Sequence, residues 1–92
     1  MKLSVIIPAL NEAENICHTI ERAAELNPHE VIVVDGGSTD ETRAIATELD
    51  CCVIDSPRGR GRQQNLGASS ASGDTLLFLH ADCWLEPDAS RQ

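Results

Sequence analysis

The sequence predicts an α/β fold: an open, mostly parallel sheet of about four strands, with elements in the order β-α-β-α-β-α-β. Three observations predict it. Four short, β-branched or continuously apolar runs recur along the chain. Helical periodicity fills each gap between them. The starts of the first two helices carry capping signals.

The first strand is "LSVIIP", 3–8. Unbroken apolar runs of this length are how strands buried on both faces read. A helix is expected over 12–26, where Ile16, Ile20 and Ala23/Ala24 fall at i, i+4 and i+7/i+8. Asn11 followed by Glu14 fits a cap with an acidic residue at the third position. The second strand, "VIVVD" at 31–35, runs straight into Asp35, and Gly36 and Gly37 bend the chain away. A second helix is expected over 39–49, with Thr42, Ile45, Ala46 and Leu49 on one face. Ser38 and Glu41 form a Ser-x-x-Glu capping box ahead of it. "CCVID", 51–55, is the third strand. The third helix, 60–72, has a weaker pattern, a small-residue face of Leu66, Ala68 and Ala71. "TLLFLHAD", 75–82, is the fourth strand, and alternation of this kind gives right-handed parallel crossovers.

Composition narrows the function. The 92 residues suit one small domain with a thin stability margin. Hydrophobic residues make up 41% and charged residues 24%, a globular balance. Phe78 and Trp84 are the only aromatics, so no stacking platform for single-stranded nucleic acid exists. A net charge of -8 argues against nucleic acid and anionic membranes as partners. Arg58, Arg60 and Arg62 nevertheless cluster, which suggests either a small anionic ligand or a solvated loop. Cys17, Cys51, Cys52 and Cys83 include no C-x-x-C pair, and because the chain enters a strand pattern by Leu3 no signal peptide is expected. Reduced thiols in the cytoplasm are expected, with Cys51 and Cys52 partly buried. No apolar run reaches transmembrane length.

Ligands of open α/β sheets bind beyond the carboxyl ends of the strands. Those ends carry Pro8 to Asn11, Asp35 to Ser38, Asp55 to Pro57 and His80 to Asp82. Asp35, Asp55 and Asp82 are therefore expected on one rim with the basic "RGRGR" loop. Carboxylates there can accept hydrogen bonds from a base or ribose, or hold a cation that binds phosphate. The same aspartates and glycines are also ordinary turn chemistry. "GRGRQQ" lacks the third glycine of a dinucleotide fingerprint, and no G-x-x-x-x-G-K-[ST] loop or nucleophile elbow is present.

Taken in order, "SVIIPALNEAENI", "EVIVVDGGSTDET", "GRGRQQNLGASSASGD" and "LLFLHAD" resemble the family 2 glycosyltransferases of the GT-A fold. They are most similar to a bacterial subgroup with FLHAD where most members have FLDAD. The resemblance covers nearly the whole chain. Each motif alone is loose, whereas four in register are specific. It implies a Rossmann-like N-terminal half that binds a nucleotide-sugar donor. On matching positions, Pro8, Asn11 and Glu12 would line the nucleoside pocket, Asp35 would face the base, and Gly36 would shape the turn. Arg62, in the basic loop, and Asn65 would close over the donor. His80 and Asp82 would hold a divalent metal, Mn²⁺ or Mg²⁺, in place of the usual D-x-D pair.

Two departures qualify what the resemblance implies. His80 replaces an acidic metal ligand, and Gln64 stands where many members carry a basic residue. The chain also stops ten residues after Asp82, before the half that would supply the acceptor pocket and the catalytic base. It is read as the donor-binding half, shortened and inactive alone, with acceptor and catalytic residues unknown. The alternative is a non-catalytic nucleotide-binding or assembly module of the same fold. If the fourth strand lies beside the first, its open edge predicts self-association.

Overall fold

The computed structural model describes residues 2–80. Its elements are β1 (Leu3–Ala9), α1 (Ile16–Ala24), β2 (Glu30–Asp35), α2 (Thr42–Thr47), β3 (Cys52–Asp55), α3 (Arg60–Ser70) and β4 (Thr75–Phe78). The expected order holds. The four strands form one sheet in the order β3-β2-β1-β4, and every pairing is parallel.

This order has a direct consequence. From β1 the chain steps outward twice, to β2 and then β3, and afterwards crosses back to the other side of β1 to form β4. Right-handed crossovers then place α1 and α2 on one face and α3 on the other. Two cores follow from the strand alternation. Val5, Ile7, Ala9, Val31 and Val33 pack with Ile16, Ile20, Ala23 and Ala46 under α1 and α2. Ile6, Ile32 and Val34 pack on the opposite face, with Ile54 and Ala71 against them. The central strands are buried on both sides, as their continuous apolar runs require.

The edges behave differently. β4 is exposed along its length, with Leu76, Leu77 and Phe78 each about two-fifths exposed. Among the described residues no helix is long and apolar enough to cross a membrane.

Several local expectations are corrected. The first helix begins at Ile16 rather than residue 12, because the N–H groups of Asn15 and Ile16 both donate to the Glu12 carbonyl in a separate turn. Asn11 does not cap it. Ser38 and Glu41 do not form a capping box either; the first turn of α2 is held by Asp40, whose Oδ1 accepts the Thr42 N–H at 2.9 Å. The buried residues of α3 are Gln63 and Gly67, and of the expected face only Ala71, just past the helix end, packs against the sheet's smaller core. Leu66 is exposed. Of the adjacent pair, Cys52 is exposed, whereas Cys51 is partly buried as expected, its thiol donating to the Ala46 carbonyl.

At the amino edge of the sheet, Glu30 ties the α3–β4 turn to β1. Its Oε2 accepts the Ser4 hydroxyl at 2.6 Å, together with the N–H and hydroxyl of Ser72. The Ser4 bond, then those from Ser72, hold the Glu30 carboxyl below the usual range. A lowered folded pKa stabilises the native state above the unfolded value, about 4.3 for Glu, and that contribution is lost as pH falls through the folded value. Glu30→Gln is therefore expected to cost stability at neutral pH and to remove part of the acid limb of a melting-temperature profile below about pH 4.3. An acid limb of unchanged slope would assign that titration elsewhere.

Candidate functional site

The site is built at the place where the strand order reverses. β2 and β4 leave β1 on opposite sides, and such switch points open a crevice beyond the carboxyl ends of the strands. A cleft of about 200 Å³ lies there. One wall is the end of β1 and the residues after it: Pro8, Ala9, Leu10 and Glu12. The facing wall is the start of α3, with Arg58, Gly59, Arg60 and Gln63, and His80 lies past the end of β4.

The α3 wall is electropositive for two reasons. The first turn of an 11-residue helix points unpaired N–H groups outward, and that turn contains no acidic side chain. Arg58 and Arg60 add two formal charges at the same end. Gly59 permits this tight entry, since its φ of 138° lies where side-chain-bearing residues are strained. The basic segment is thus not a loop throughout: Arg60 and Arg62 are already helical. Glu12 supplies an acceptor on the opposite wall, where its Oε1 also takes the Asn15 amide at 3.3 Å.

Behind the β1 wall, two loops are laced into one unit. Asn11, in the left-handed region at φ 53°, accepts the Thr39 N–H on Oδ1 at 2.8 Å and donates its own N–H to Ser38 Oγ at 2.9 Å. The Ala13 N–H reaches Asp40 Oδ2 at 3.2 Å, and the Glu12 N–H reaches Thr42 Oγ1 at 2.7 Å. Hydrogen bonds from the Thr42 hydroxyl first, then its N–H, hold the Asp40 carboxyl below the usual range. Asp35 anchors the lacing. It is buried, with Oδ2 accepting the N–H groups of Gly37 and Ser38 and Oδ1 accepting the Ser38 hydroxyl at 2.6 Å.

The residues expected at the site are therefore only partly brought together. Pro8, Glu12 and His80 line the cleft. Asn11, Asp35 and Gly36 stand behind its β1 wall, in the laced turn. Arg62 and Asn65 lie elsewhere, along a separate shallow groove with Pro57, Leu66 and Ser69. Of the expected three-aspartate rim, Asp35 and Asp55 stand in register at the carboxyl ends of β2 and β3. Asp55 is exposed and paired with Arg43 at 2.7 Å, and that guanidinium draws the Asp55 carboxyl down. Asp82 lies outside the described residues. No three His, Cys, Asp or Glu side chains among those described converge as a metal site.

Sequence reading missed Gln63. Its signal was present: Gln63 and Gly67 are four apart and so share one helix face, a polar and a tiny residue where an apolar pair would be normal. A larger hollow of about 520 Å³ sits at the amino ends of β2 and β3, lined in part by His29, Asp50, Cys51 and Cys52. It lies at the wrong end of the strands for a sheet-edge ligand and contains no arginine or lysine.

A profile of the family "Glycosyl transferase family 2" matches residues 4–92. The chain belongs to glycosyl transferase family 2. It is 36% identical over 104 residues to the glycosyltransferase AglE of Haloferax volcanii, covering 96% of this chain and 34% of AglE. It is 35% identical to the glucosyl-3-phosphoglycerate synthase of Mycolicibacterium smegmatis, covering 94% of this chain and 32% of that enzyme. Among solved structures, it resembles the glucosyl-3-phosphoglycerate synthase of Mycobacterium tuberculosis in complex with Mn²⁺, UDP and glucosyl-3-phosphoglycerate. The TM-score is 0.75 at 31% identity, over 87% of this chain and 33% of that one. TarS 1–349 of S. aureus gives a TM-score of 0.77 at 29% identity, over 99% and 32%. The family 2 chain described here thus spans about a third of the length of these relatives, and its parallel four-stranded sheet is that of the GT-A N-terminal fold.

Proposed function

We propose that this chain binds a nucleotide-sugar donor and forms the donor-binding part of a glycosyltransferase, which passes the sugar to an acceptor whose identity is open. The observation that carries the reading is the cleft at the switch point, with the start of α3, Arg58 and Arg60 on one wall and Pro8 to Glu12 on the other. Two guanidiniums and a helix N-terminus suit a diphosphate. Pro8 and Glu12 offer an apolar surface and an acceptor for the nucleoside. Asp35, Gly36 and Asn11 shape that wall from behind. Arg62 and Asn65, in their separate groove, have no part in this arrangement.

The reading includes a divalent cation, Mn²⁺ or Mg²⁺, with Asp82 and His80 as its protein ligands. His80 lines the cleft, and oxygen and imidazole ligands fit either ion, the imidazole favouring Mn²⁺. When bound, the cation would neutralise charge on the departing diphosphate. The arginines and the helix terminus stabilise the same charge from the protein side. No residue of this chain is assigned as the catalytic base, which belongs with the acceptor pocket. A reduced, cytoplasmic setting is part of the reading, and the free thiols Cys17, Cys51 and Cys52 support it.

Calorimetric titration with UDP tests the proposal. Binding is expected to be weak and to tighten about tenfold with Mn²⁺, a gain of about 1.4 kcal/mol. Asp82→Ala should abolish the gain and leave the metal-free affinity in place. Absence of UDP binding by the wild-type chain in the presence of Mn²⁺ would sink the reading.

Self-association through β4 completes the proposal. The strand is exposed, among the described residues its outer edge has no partner strand, and Leu76 and Phe78 on one face and Leu77 on the other leave apolar surface along it. Such edges template pairing with another chain, and a two-fold contact between copies would be self-complementary. Sedimentation at low micromolar concentration should reveal a dimer or larger species, and Leu77→Lys should shift it toward monomer. A folded monomer throughout would rule self-association out.

A further inference from the structure

Gln63 is a buried polar residue with 4% of its surface exposed, on the sheet face of α3. Its carboxamide is fully used. Nε2 donates to the Ala9 carbonyl at 3.0 Å and to the Val34 carbonyl at 2.9 Å, the first at the end of β1 and the second near the end of β2. Oε1 faces the Gly59 N–H at 3.4 Å, while the Gln63 backbone N–H donates to the Gly59 carbonyl at 2.8 Å. Only a carboxamide offers two N–H donors and a carbonyl acceptor on one planar group. A single side chain therefore ties two strand ends to the turn that carries Arg58 and Arg60.

The neighbouring backbone is shaped around this group. A Cβ on Gly36 would lie 2.7 Å from Gln63 Oε1 and 2.8 Å from its carboxamide carbon. Gly36 does not have a positive φ, unlike Gly37 and Gly59. Its requirement for glycine is space for Gln63, not backbone freedom.

We infer that Gln63 is a positioning residue of the cleft: its carboxamide fixes the arginine-bearing start of α3 against the ends of β1 and β2, and so sets where a diphosphate is held. The inference rests on the donor-binding reading above, since it assigns the α3 wall to the diphosphate. A residue that merely filled the core would weaken the fold without distinguishing one part of a ligand from another. Loss of the staple moves one wall alone, so its effect falls on the diphosphate and spares the nucleoside.

The test uses UDP with Mg²⁺, and uridine, titrated by NMR into wild type, Gln63→Met, Gly36→Ala and the double variant. Gln63→Met keeps the length and removes both donors. It should weaken UDP about tenfold and leave uridine within about twofold. Gly36→Ala, which dislodges the carboxamide from the other side, should give the same split. In the Gln63→Met background it should add less than about twofold, because the group it displaces is gone. Native-state hydrogen exchange should speed at the Gly36 and Gly59 amides while Ile6 and Val33 stay slow. Equal losses for UDP and uridine, or effects of the two substitutions that simply multiply, would overturn the inference. If Gln63→Met does not fold, Gly36→Ala decides by the same split. If wild type binds no UDP, the donor reading falls, and the exchange pattern decides alone: faster exchange confined to Gly36 and Gly59 supports the staple, and unchanged exchange overturns it.

Discussion

Gly67→Val is expected to leave the chain largely unfolded at room temperature, and Gly67→Ala to lower its stability measurably. α3 crosses the sheet at Gly67, where an added Cβ would meet Ile6 Cγ2 at 2.4 Å and Val34 Cγ2 at 3.0 Å. Both partners are fully buried in the smaller core, so neither can swing aside. Helix propensity argues the other way, since alanine is favoured over glycine inside a helix by about 1 kcal/mol. Overpacking a close-packed core costs about 1–3 kcal/mol and sometimes more. The steric term should win for alanine by a small margin and for the larger, β-branched valine by a wide one. A domain of this size holds roughly 5–14 kcal/mol in total. Lifting α3 would also uncover Ile6, Ile32 and Val34, and most of that margin would go with them. Urea denaturation of both variants checks the order. A Gly67→Ala protein more stable than wild type would mean that propensity decides and that the helix does not press on the sheet here.

The same contact explains what the sequence made legible and what it hid. β1, β2 and the periodic face of α1 were readable because burial alone selects their residues. Ile16, Ile20 and Ala23 face the larger core as the 3.6-residue period requires. α3 carried little amphipathic signal because its inner face is Gln63 and Gly67, chosen for close approach and for hydrogen bonding to strand ends rather than for apolar area. Capping signals misled for a related reason. Asn11 and Ser38 have the right residue types for helix starts, yet each spends its side chain on the facing loop. Local pattern cannot distinguish a cap from a cross-loop bond, because both satisfy the same exposed N–H groups. Strand position placed Asp55 beside Asp35 at the carboxyl edge, where it stands, but could not show that Arg43, one helix back, pairs with it. The motif order in the sequence located the cleft's β1 wall at Pro8 and Glu12. The opposite wall was half legible: the start of α3 at Arg60 was expected, but which of Arg58, Arg60 and Arg62 face the cleft was not.

Asp35→Ala is expected to lower both stability and UDP affinity, the first by about 2–4 kcal/mol given three hydrogen bonds to one charged, buried carboxylate that share a single loss. For a domain of this length that corresponds to a melting temperature lower by roughly 8 °C or more. The affinity loss follows from the connections beyond the carboxylate. Asp35 holds Ser38, the Ser38 hydroxyl accepts the Asn11 N–H, and Asn11 in turn accepts from Thr39. Releasing Asp35 therefore loosens the loop that continues from Pro8 to Glu12, one wall of the cleft. Ser38→Ala separates this indirect route from direct contact with the nucleoside. It leaves the carboxylate and its two backbone N–H partners in place but cuts the link to Asn11. If Asp35 acts through the loop, Ser38→Ala should reproduce a substantial share of the affinity loss at a smaller cost in stability. If Asp35 touches the base directly, Ser38→Ala should bind UDP almost as wild type does while Asp35→Ala binds about tenfold or more weakly. Wild-type melting in Asp35→Ala would contradict the turn itself, because a buried carboxylate accepting two backbone N–H groups and a hydroxyl cannot be removed without leaving those groups to find other partners.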